Sequence, residues 1–142
     1  MADVVDGACL CGAVSFRVGL PVKWVAHCHC TMCRRAHGAA LVTWVGAHAD
    51  RFDVVAGAEH VVRYASSSAA SREHCGRCGS PLFFRGDRWP DEVHIARALI
   101  VDDDGLLPVP QAHVFFGDKV EWLTIHDELP RRGGPSGMEP LS

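Results

Sequence analysis

The sequence has no excess of positive charge. Its 142 residues include 14 lysines and arginines against 17 aspartates and glutamates, which gives a formal net charge of -3 and a pI near 6.3. Because broad binding to a phosphate backbone needs a basic surface, this balance argues against a nucleic-acid partner. Apolar residues make up 48% and charged residues 22% of the chain, so we expect a folded domain with an apolar core.

A long apolar run is also missing. The least polar stretch, from Ala36 to Ala49, is interrupted by His37, Thr43 and His48 and is too short to cross a bilayer. The first six residues are acidic and lack the charged-then-apolar pattern of a secretory signal. We therefore expect a cytoplasmic protein with no membrane partner.

No internal repeat of solenoid period divides the chain. Its last stretch reads PRRGGPSGMEPLS, and the density of glycine and proline there favours neither helix nor strand. We predict one domain over residues 1–129 and a flexible tail over residues 130–142.

Most of the predicted domain carries the period-two alternation or the β-branched and aromatic composition of strands. One short helical turn is predicted from Thr31 to Gly38, where glycine can end it. The fold class is therefore predicted as mainly β, built from antiparallel sheets. The predicted strands are Val14–Val18, Val22–Ala26, Leu41–Val45, His60–Tyr64, Leu82–Phe84, Glu92–Ile95, His113–Phe116 and Val120–Ile125.

Seven cysteines are the strongest chemical signal in the chain. In a reducing cytoplasm cysteines are more often metal ligands than disulfides, and an odd number cannot pair completely. Their clustering predicts zinc. They fall into three groups: Cys9 with Cys11, then Cys28 with Cys30 and Cys33, then Cys75 with Cys78.

The last group has the form of a zinc knuckle. Two residues between Cys75 and Cys78 let one tight turn direct both sulfurs at one ion, and Gly79 can take the left-handed conformation that such a turn needs. A knuckle supplies only two ligands. Cys9 and Cys11 are the natural second pair, because a C-x-C places both side chains on one side of an extended segment. The four thiolates would form a closed structural site.

That partition leaves Cys28, Cys30 and Cys33. Three protein ligands with an open fourth position are typical of a catalytic zinc, whereas four ligands make a closed structural one. The spacing does not force this choice. Cys30 and Cys33 could instead pair with Cys75 and Cys78 as a zinc ribbon.

A histidine could also complete the three-cysteine group as a second structural site, the candidates being His27, His29 and His37. Because His29 lies between two ligands, we expect its ring to point away from the metal and to be exposed. Arg34 and Arg35 could bind a carboxylate through paired hydrogen bonds. The alternative for at least one of these arginines is a solvated helical face.

Taken in order, the three cysteine groups and their neighbours resemble the glutathione-dependent formaldehyde-activating enzyme family, which also includes the centromere protein V branch. The resemblance covers nearly the whole chain up to Pro130. The matching stretches are 7–14, 28–38 and 75–80, followed by His113, Trp122 and the ending Asp127-Glu128-Leu129-Pro130.

The resemblance implies antiparallel sheets folded around a structural zinc, with a second zinc at the catalytic residues Cys28, Cys30 and Cys33. The ligands that it implies for the structural zinc are Cys9, Cys11, Cys75 and Cys78. It also implies a carbon–sulfur lyase that adds glutathione to formaldehyde and gives S-hydroxymethylglutathione. The expected partners are a small thiol and a small aldehyde, with Arg34 and Arg35 as candidates for holding glutathione.

Two other functions stay open at this point. One is a non-catalytic binding module with two structural zincs. The other is a redox or metal sensor that uses Cys28, Cys30 and Cys33 as reactive thiols. The oligomeric state is also open, with a homodimer among the options.

Overall fold

The structure is a computed structural model that describes residues 3–141. These residues form two compact units. The first contains the residues up to Lys23 together with Val45–Leu107, and the second contains Trp24–Trp44 together with the residues from Pro108 onward. The extent of the predicted domain, residues 1–129, stays a prediction.

Strands dominate the secondary structure of the described residues, and one α-helix interrupts them. In chain order the elements are β1 (Val4–Ala8), β2 (Ser15–Gly19), β3 (Trp24–Cys28), α1 (Thr31–His37), β4 (Val42–His48), β5 (Phe52–Ala56), β6 (Val61–Ser67), β7 (Ala70–Cys75), β8 (Pro81–Gly86), β9 (Glu92–Ala96), β10 (His113–Val114), β11 (Arg132–Gly133) and β12 (Glu139–Pro140). The predicted mainly β class is confirmed.

One sheet of the first unit has the order β1-β2-β5, with both pairs antiparallel. Along β2, Phe16 and Val18 are buried while Arg17 between them is exposed, as period-two alternation requires. Gly7 pairs with Phe16 across the sheet. A Cβ at residue 7 would lie 2.2 Å from the Phe16 ring, so this strand position needs glycine.

Four further strands of the first unit run antiparallel in the order β9-β8-β7-β6. Phe83 on β8 meets the Phe16 ring edge-on, with ring centroids 5.2 Å apart. The ring of Phe52 also packs edge-on against Phe83, with centroids 4.8 Å apart. Phe16 and Phe83 are fully buried, and burial of each such ring contributes about 1.5–3 kcal/mol relative to exposure. Phenylalanine packing therefore forms the core of this unit.

In the second unit β10 pairs with β3 in parallel, which places His113 opposite His27 and Val114 opposite Cys28. The helix α1 follows directly and ends at Gly38, which has a φ of 60° and donates its N–H to the carbonyl of Arg34. The predicted helical turn and its glycine stop are confirmed. At the chain end, β11 and β12 form a short antiparallel pair.

The predicted strand over Val120–Ile125 is wrong. No strand forms between β10 and β11, and Trp122 leaves 76% of its surface exposed. The segment 130–142 contains β11 and β12, and Phe115 donates its N–H to the carbonyl of Gly137 at 2.9 Å. Flexibility of that segment stays a prediction. Among residues 3–141, no helix has the length and apolarity that a membrane crossing requires.

Candidate metal centres

The first unit brings the thiols of Cys9, Cys11, Cys75 and Cys78 together. Their sulfur atoms all lie within 4.8 Å of one another, with 3.6 Å between Cys9 and Cys11 and 3.9 Å between Cys11 and Cys75. Zinc bound to four thiolates at about 2.3 Å separates the sulfurs by roughly 3.8 Å in a tetrahedron. The group therefore fits zinc in both ligand type and spacing, and could bind a metal ion.

Two tight turns present these thiols. In the first, Gly12 has a φ of 79° and donates its N–H to the carbonyl of Cys9 at 3.1 Å. In the second, Gly79 has the same φ and donates to the carbonyl of Cys75 at 2.8 Å. Backbone N–H groups also point at sulfur, from Val14 to Cys9 at 3.3 Å and from Arg77 to Cys75 at 3.4 Å. Such donors stabilise thiolates and so favour a cation between the turns.

Ser80 joins the two turns, and sequence reasoning assigned it no role. Its hydroxyl oxygen accepts the N–H of Leu10 at 3.0 Å and lies 3.2 Å from the sulfur of Cys78. One side chain therefore binds the backbone of the first turn and a thiol of the second. Ser80 belongs to the stretch 75–80 that carries the family resemblance, and this was the sequence signal for it. Its contact with Leu10 is tertiary, so no local sequence pattern predicts it.

The four thiols hold their protons unequally. Hydrogen bonds from the Ser80 hydroxyl and from backbone lower the pKa of Cys78 to about 5. For Cys11, a hydrogen bond from the backbone of Ala13 acts to lower the pKa, but burial and the neighbouring thiols outweigh it and raise the pKa to about 11. This imbalance is what crowded thiols show when negative charge on one discourages ionisation of the next. A divalent cation would remove that conflict.

Cys28, Cys30 and Cys33 lie where β3 passes into α1 in the second unit. Cys28 ends the strand, Cys30 precedes the helix, and Cys33 lies in its first turn. The thiol of Cys28 donates to the sulfur of Cys33 at 3.7 Å, a separation that also matches two ligands of one tetrahedral zinc. Cys28 and Cys33 are buried, and Cys30 is half-buried.

The surroundings of Cys30 favour its thiolate form. Hydrogen bonds from the thiols of Cys28 and Cys33 lower the pKa of Cys30 to about 2, and the N–H groups of Cys33 and Met32 act in the same direction. The same contacts, together with burial, raise the pKa of Cys28. Contacts of this kind stabilise a thiolate, which is the form of cysteine that ligates metals. Zinc ligation by either cysteine group stays a prediction.

The two predicted arginines differ in their surroundings. Arg34 is half-buried and donates from Nε to the carbonyl of His29 at 3.2 Å. Arg35 is exposed. Both belong to the last turn of α1, where positive charge is also favoured by the helix dipole. Carboxylate binding by either residue stays a prediction.

Each histidine near the three-cysteine group has another contact through its ring. His27 Nδ1 lies 2.8 Å from the hydroxyl of Thr43, and the ring of His37 packs edge-on against Trp44 with centroids 5.1 Å apart. His29 was expected to be exposed, and this is wrong, because its exposed fraction is 0%. Because β10 pairs in parallel with β3, the rings of His113 and Phe116 pack against His29 and bury it.

Sequence reasoning missed the partner of His29. His29 Nε2 lies 2.8 Å from Nδ1 of His113, and His113 Nε2 lies 3.0 Å from both carboxylate oxygens of Asp127. Burial and then the nearby His113 lower the pKa of His29 to about 4. For Asp127, burial acts to raise the pKa, but hydrogen bonds from His113 and from the N–H of Leu129 lower it overall. Both His113 and Asp127 stood in the stretch used for the family resemblance, without an assigned role.

An open depression of about 690 Å³ lies on the first unit. Arg63, Arg85, Trp89 and Glu92 are among its lining residues, and no cysteine is.

Comparison with known proteins gives a consistent result. Residues 4–118 match the family model described as glutathione-dependent formaldehyde-activating enzyme. A protein of Halomonas elongata that carries this enzyme name provisionally is 35% identical over 129 residues, which is 86% of this chain and 81% of that protein. An uncharacterized lyase of Schizosaccharomyces pombe is 32% identical over 79 residues, 56% of each chain. A crystal structure of a Rhodobacter sphaeroides protein superimposes with a TM-score of 0.59 at 28% identity, covering 74% of this chain and 97% of that one.

Proposed function

Because the chain belongs to the glutathione-dependent formaldehyde-activating enzyme family, we propose that it is a zinc-dependent carbon–sulfur lyase acting on a small thiol and a small aldehyde. In the addition of glutathione to formaldehyde, sulfur bonds to the carbonyl carbon and the carbonyl oxygen becomes a hydroxyl. The thiol proton ends on that oxygen, so no other reactant is needed. The observation that carries the proposal is the placement of Cys28, Cys30 and Cys33 at one strand-to-helix junction within the matched residues, with the sulfurs of Cys28 and Cys33 3.7 Å apart.

These three cysteines are proposed to hold the catalytic zinc. Zinc bound there would supply thiolate at neutral pH, because soft sulfur suits the ion and coordination lowers the pKa of a thiol. The chain contributes surroundings that favour a thiolate, since hydrogen bonds from two thiols and from the backbone of Met32 and Cys33 lower the pKa of Cys30. Burial of Cys28 and Cys33 limits the access of water to two of the three ligands.

Arg34 and Arg35 are proposed to bind the carboxylates of glutathione. The Nε of Arg34 is engaged with the carbonyl of His29, which fixes the side chain and leaves two terminal nitrogens of the guanidinium group in the geometry that suits a carboxylate. Arg35 is exposed at the same end of α1 and can reach a substrate from solvent. Positive charge here also offsets the net negative charge that three thiolates leave on a divalent ion.

The four-thiol group of the first unit is proposed as the closed structural zinc site. Its ligands come from two turns that Ser80 already connects. Four thiolates fill the coordination sphere of zinc and leave no position for a substrate. Cytoplasmic location and a homodimer remain expectations attached to this proposal.

The test is substitution of Cys30 by serine in the full chain, purified without chelator. We expect a fall of about 100-fold or more in the rate of adduct formation between glutathione and formaldehyde. The rate is measured by two-dimensional proton exchange NMR spectroscopy. Native mass spectrometry should show that one zinc per chain remains. The matched control is Met32→Leu, which changes an exposed side chain in the same turn and keeps the three thiols. Unchanged activity in Cys30→Ser would sink the proposal.

A second candidate function is a non-catalytic module with two structural zincs. The burial of Cys28 and Cys33 is the observation that favours it, because a catalytic metal must be reached by substrate. Two zincs per chain with no adduct formed from glutathione or another small thiol and any of several small aldehydes would select this alternative.

A further inference from the structure

The second unit contains a line of three ionisable side chains that the proposed chemistry does not use. It runs from the Asp127 carboxylate through His113 to His29, with contacts of 3.0 Å and 2.8 Å. The two imidazoles are almost completely enclosed, with exposed fractions of 1% and 0%, while the side chain of Asp127 keeps 40% exposure. The line therefore connects the protein surface to the residue between Cys28 and Cys30.

The chemistry of the three groups orders their protons. An ionised carboxylate can only accept, so Nε2 of His113 carries the proton that it donates to Asp127. In the neutral ring, Nδ1 of His113 is then an acceptor, and Nε2 of His29 donates to it. Nδ1 of His29 has no hydrogen-bond partner among residues 3–141. The His29 ring thus has one side-chain hydrogen bond among the described residues, and Asp127 fixes the tautomer of the histidine that accepts it.

The backbone around His29 is bound to the same segment. His29 donates its N–H to the carbonyl of Val114 at 3.0 Å, and His27 donates to the carbonyl of Ala112 at 2.9 Å. Phe116 meets the rings of both His29 and His113 edge-on, with centroids 5.1 Å and 5.4 Å away. The segment 112–116 therefore holds both the ring and the main chain of residue 29. Because Cys28 and Cys30 flank this residue, their positions depend on the same contacts.

We infer that Asp127 is a positioning residue for the three-cysteine site. Through His113 and His29 it fixes the peptide between Cys28 and Cys30, so that metal retention at this site depends on a carboxylate about a hundred positions away in the sequence. The inference rests on the proposed function only in taking Cys28, Cys30 and Cys33 as metal ligands. Partners that orient the surroundings of metal ligands typically change affinity by about 10–100-fold when removed.

The experiment compares Asp127→Ala with Glu128→Ala in the full chain loaded with zinc. Glu128 is the matched control because it is the adjacent acidic residue, is exposed, and lies outside the line. Zinc release is followed by a colorimetric indicator during titration with EDTA, with native mass spectrometry counting the ions that remain. We expect Asp127→Ala to lose one of two zincs at a chelator concentration at least about tenfold lower than wild type. Glu128→Ala should match wild type.

A conservative variant and a spectroscopic readout separate positioning from general weakening of the fold. Asp127→Asn keeps an acceptor oxygen for His113, so we expect it to recover part of the retention. With Co²⁺ in place of zinc, Asp127→Ala should shift the absorption bands of one site and leave those of the other unchanged. Equal retention in Asp127→Ala and Glu128→Ala would overturn the inference. So would parallel loss of both ions with a lower melting temperature, or a wild-type chain that never holds a second ion.

Adduct formation is measured on the same samples, which keeps this inference apart from the proposed function. A wild-type chain with two zincs and no lyase activity would remove the proposed function. The tenfold difference in retention between Asp127→Ala and Glu128→Ala would still support the positioning role.

Discussion

The two thiol groups differ in the sequence separation between their cysteines. In the first unit, Cys11 and Cys75 approach to 3.9 Å across 64 residues of sequence, and the Leu10–Ser80 contact spans 70. In the second unit, Cys28 and Cys33 meet across five. A metal that joins distant segments stabilises the tertiary fold, because it offsets the entropy of closing a long loop. A metal that is bound by one local junction can bind and dissociate without unfolding the surrounding structure.

The two units also differ in the rings at their centres. The first unit buries rings of phenylalanine, with Phe16 and Phe83 at its centre. The second buries two imidazoles, His29 and His113, beside Phe116. Apolar rings stabilise by burial and tolerate any protonation state of their neighbours, whereas buried imidazoles need defined partners. The local site is thus supported by polar contacts with one required arrangement.

The largest expected effect separates the two groups by stability. Cys75→Ser removes a fully buried thiol that is proposed as a ligand of the structural zinc, so we expect loss of one zinc and of the cooperative unfolding transition. Structural zinc supplies about 10 kcal/mol or more of apparent folding energy in small domains, comparable with the whole stability of a typical domain. Circular dichroism during heating, with zinc counted by native mass spectrometry, provides the measurement.

Cys28→Ser is the paired variant for that experiment. It removes a buried thiol that is proposed as a ligand of the second zinc, and we expect the cooperative transition to remain at a moderately lower temperature. If Cys75→Ser melted like wild type, or if both variants unfolded alike, the distinction between a tertiary and a local site would be wrong.

The sequence carried enough information for the elements with strong local patterns. β2 was predicted from alternation around Phe16, and α1 from the helical turn that Gly38 ends. β7 was missed because Ala70–Cys75 is mixed in polarity and gains its strand character from two partners. Val120–Ile125 has the composition of a strand but finds no neighbour, and the structure leaves it irregular. Pairing between strands is a tertiary fact that a local window does not contain.

The same limit applies to the candidate sites. Ligand spacing in C-x-C and C-x-x-C reflects the geometry of one turn, so the convergence of Cys9 and Cys11 with Cys75 and Cys78 could be anticipated. The residues that support the ligands could not. His113 reaches His29 only because β10 lies parallel to β3, and this two-residue pairing has no signature in the sequence.

An intermediate effect is expected from glycines that end the turns of each site. Gly79 in the knuckle has a φ of 79° and Gly38 after α1 a φ of 60°, and a Cβ at either would meet nothing within 4 Å. Alanine therefore costs only the left-handed backbone conformation, about 1–2 kcal/mol. We expect similar losses of unfolding free energy in urea for both variants, with weaker metal retention only at the site next to each glycine.

Gly117→Ala is the control for that pair. Its Cβ would also meet nothing within 4 Å, but its φ lies outside the left-handed range. It should be close to neutral. A loss at Gly117 equal to that at Gly38 and Gly79 would show that added side chains, and not the turn conformation, cause the effect.

The smallest expected effect concerns acid sensitivity, which both thiol sites and buried histidines can produce. His94 allows a separation because it lies in the first unit, hydrogen-bonded to Glu92 at 2.9 Å and stacked on Phe84. Burial lowers the pKa of His94 below its ordinary 6.5, and Glu92 opposes this in part. The unfolded chain then takes up the proton more readily than the folded one, so stability falls as pH drops below about 6.5.

In His94→Gln this contribution is absent, and the urea midpoint should fall less between pH 7.5 and 5.5 than in wild type, with zinc in excess for both. Loss of metal from the thiolates affects both chains equally and cancels in the difference. Identical slopes would remove His94 as a source of acid sensitivity and assign all of it to the cysteine sites and the imidazoles of the second unit.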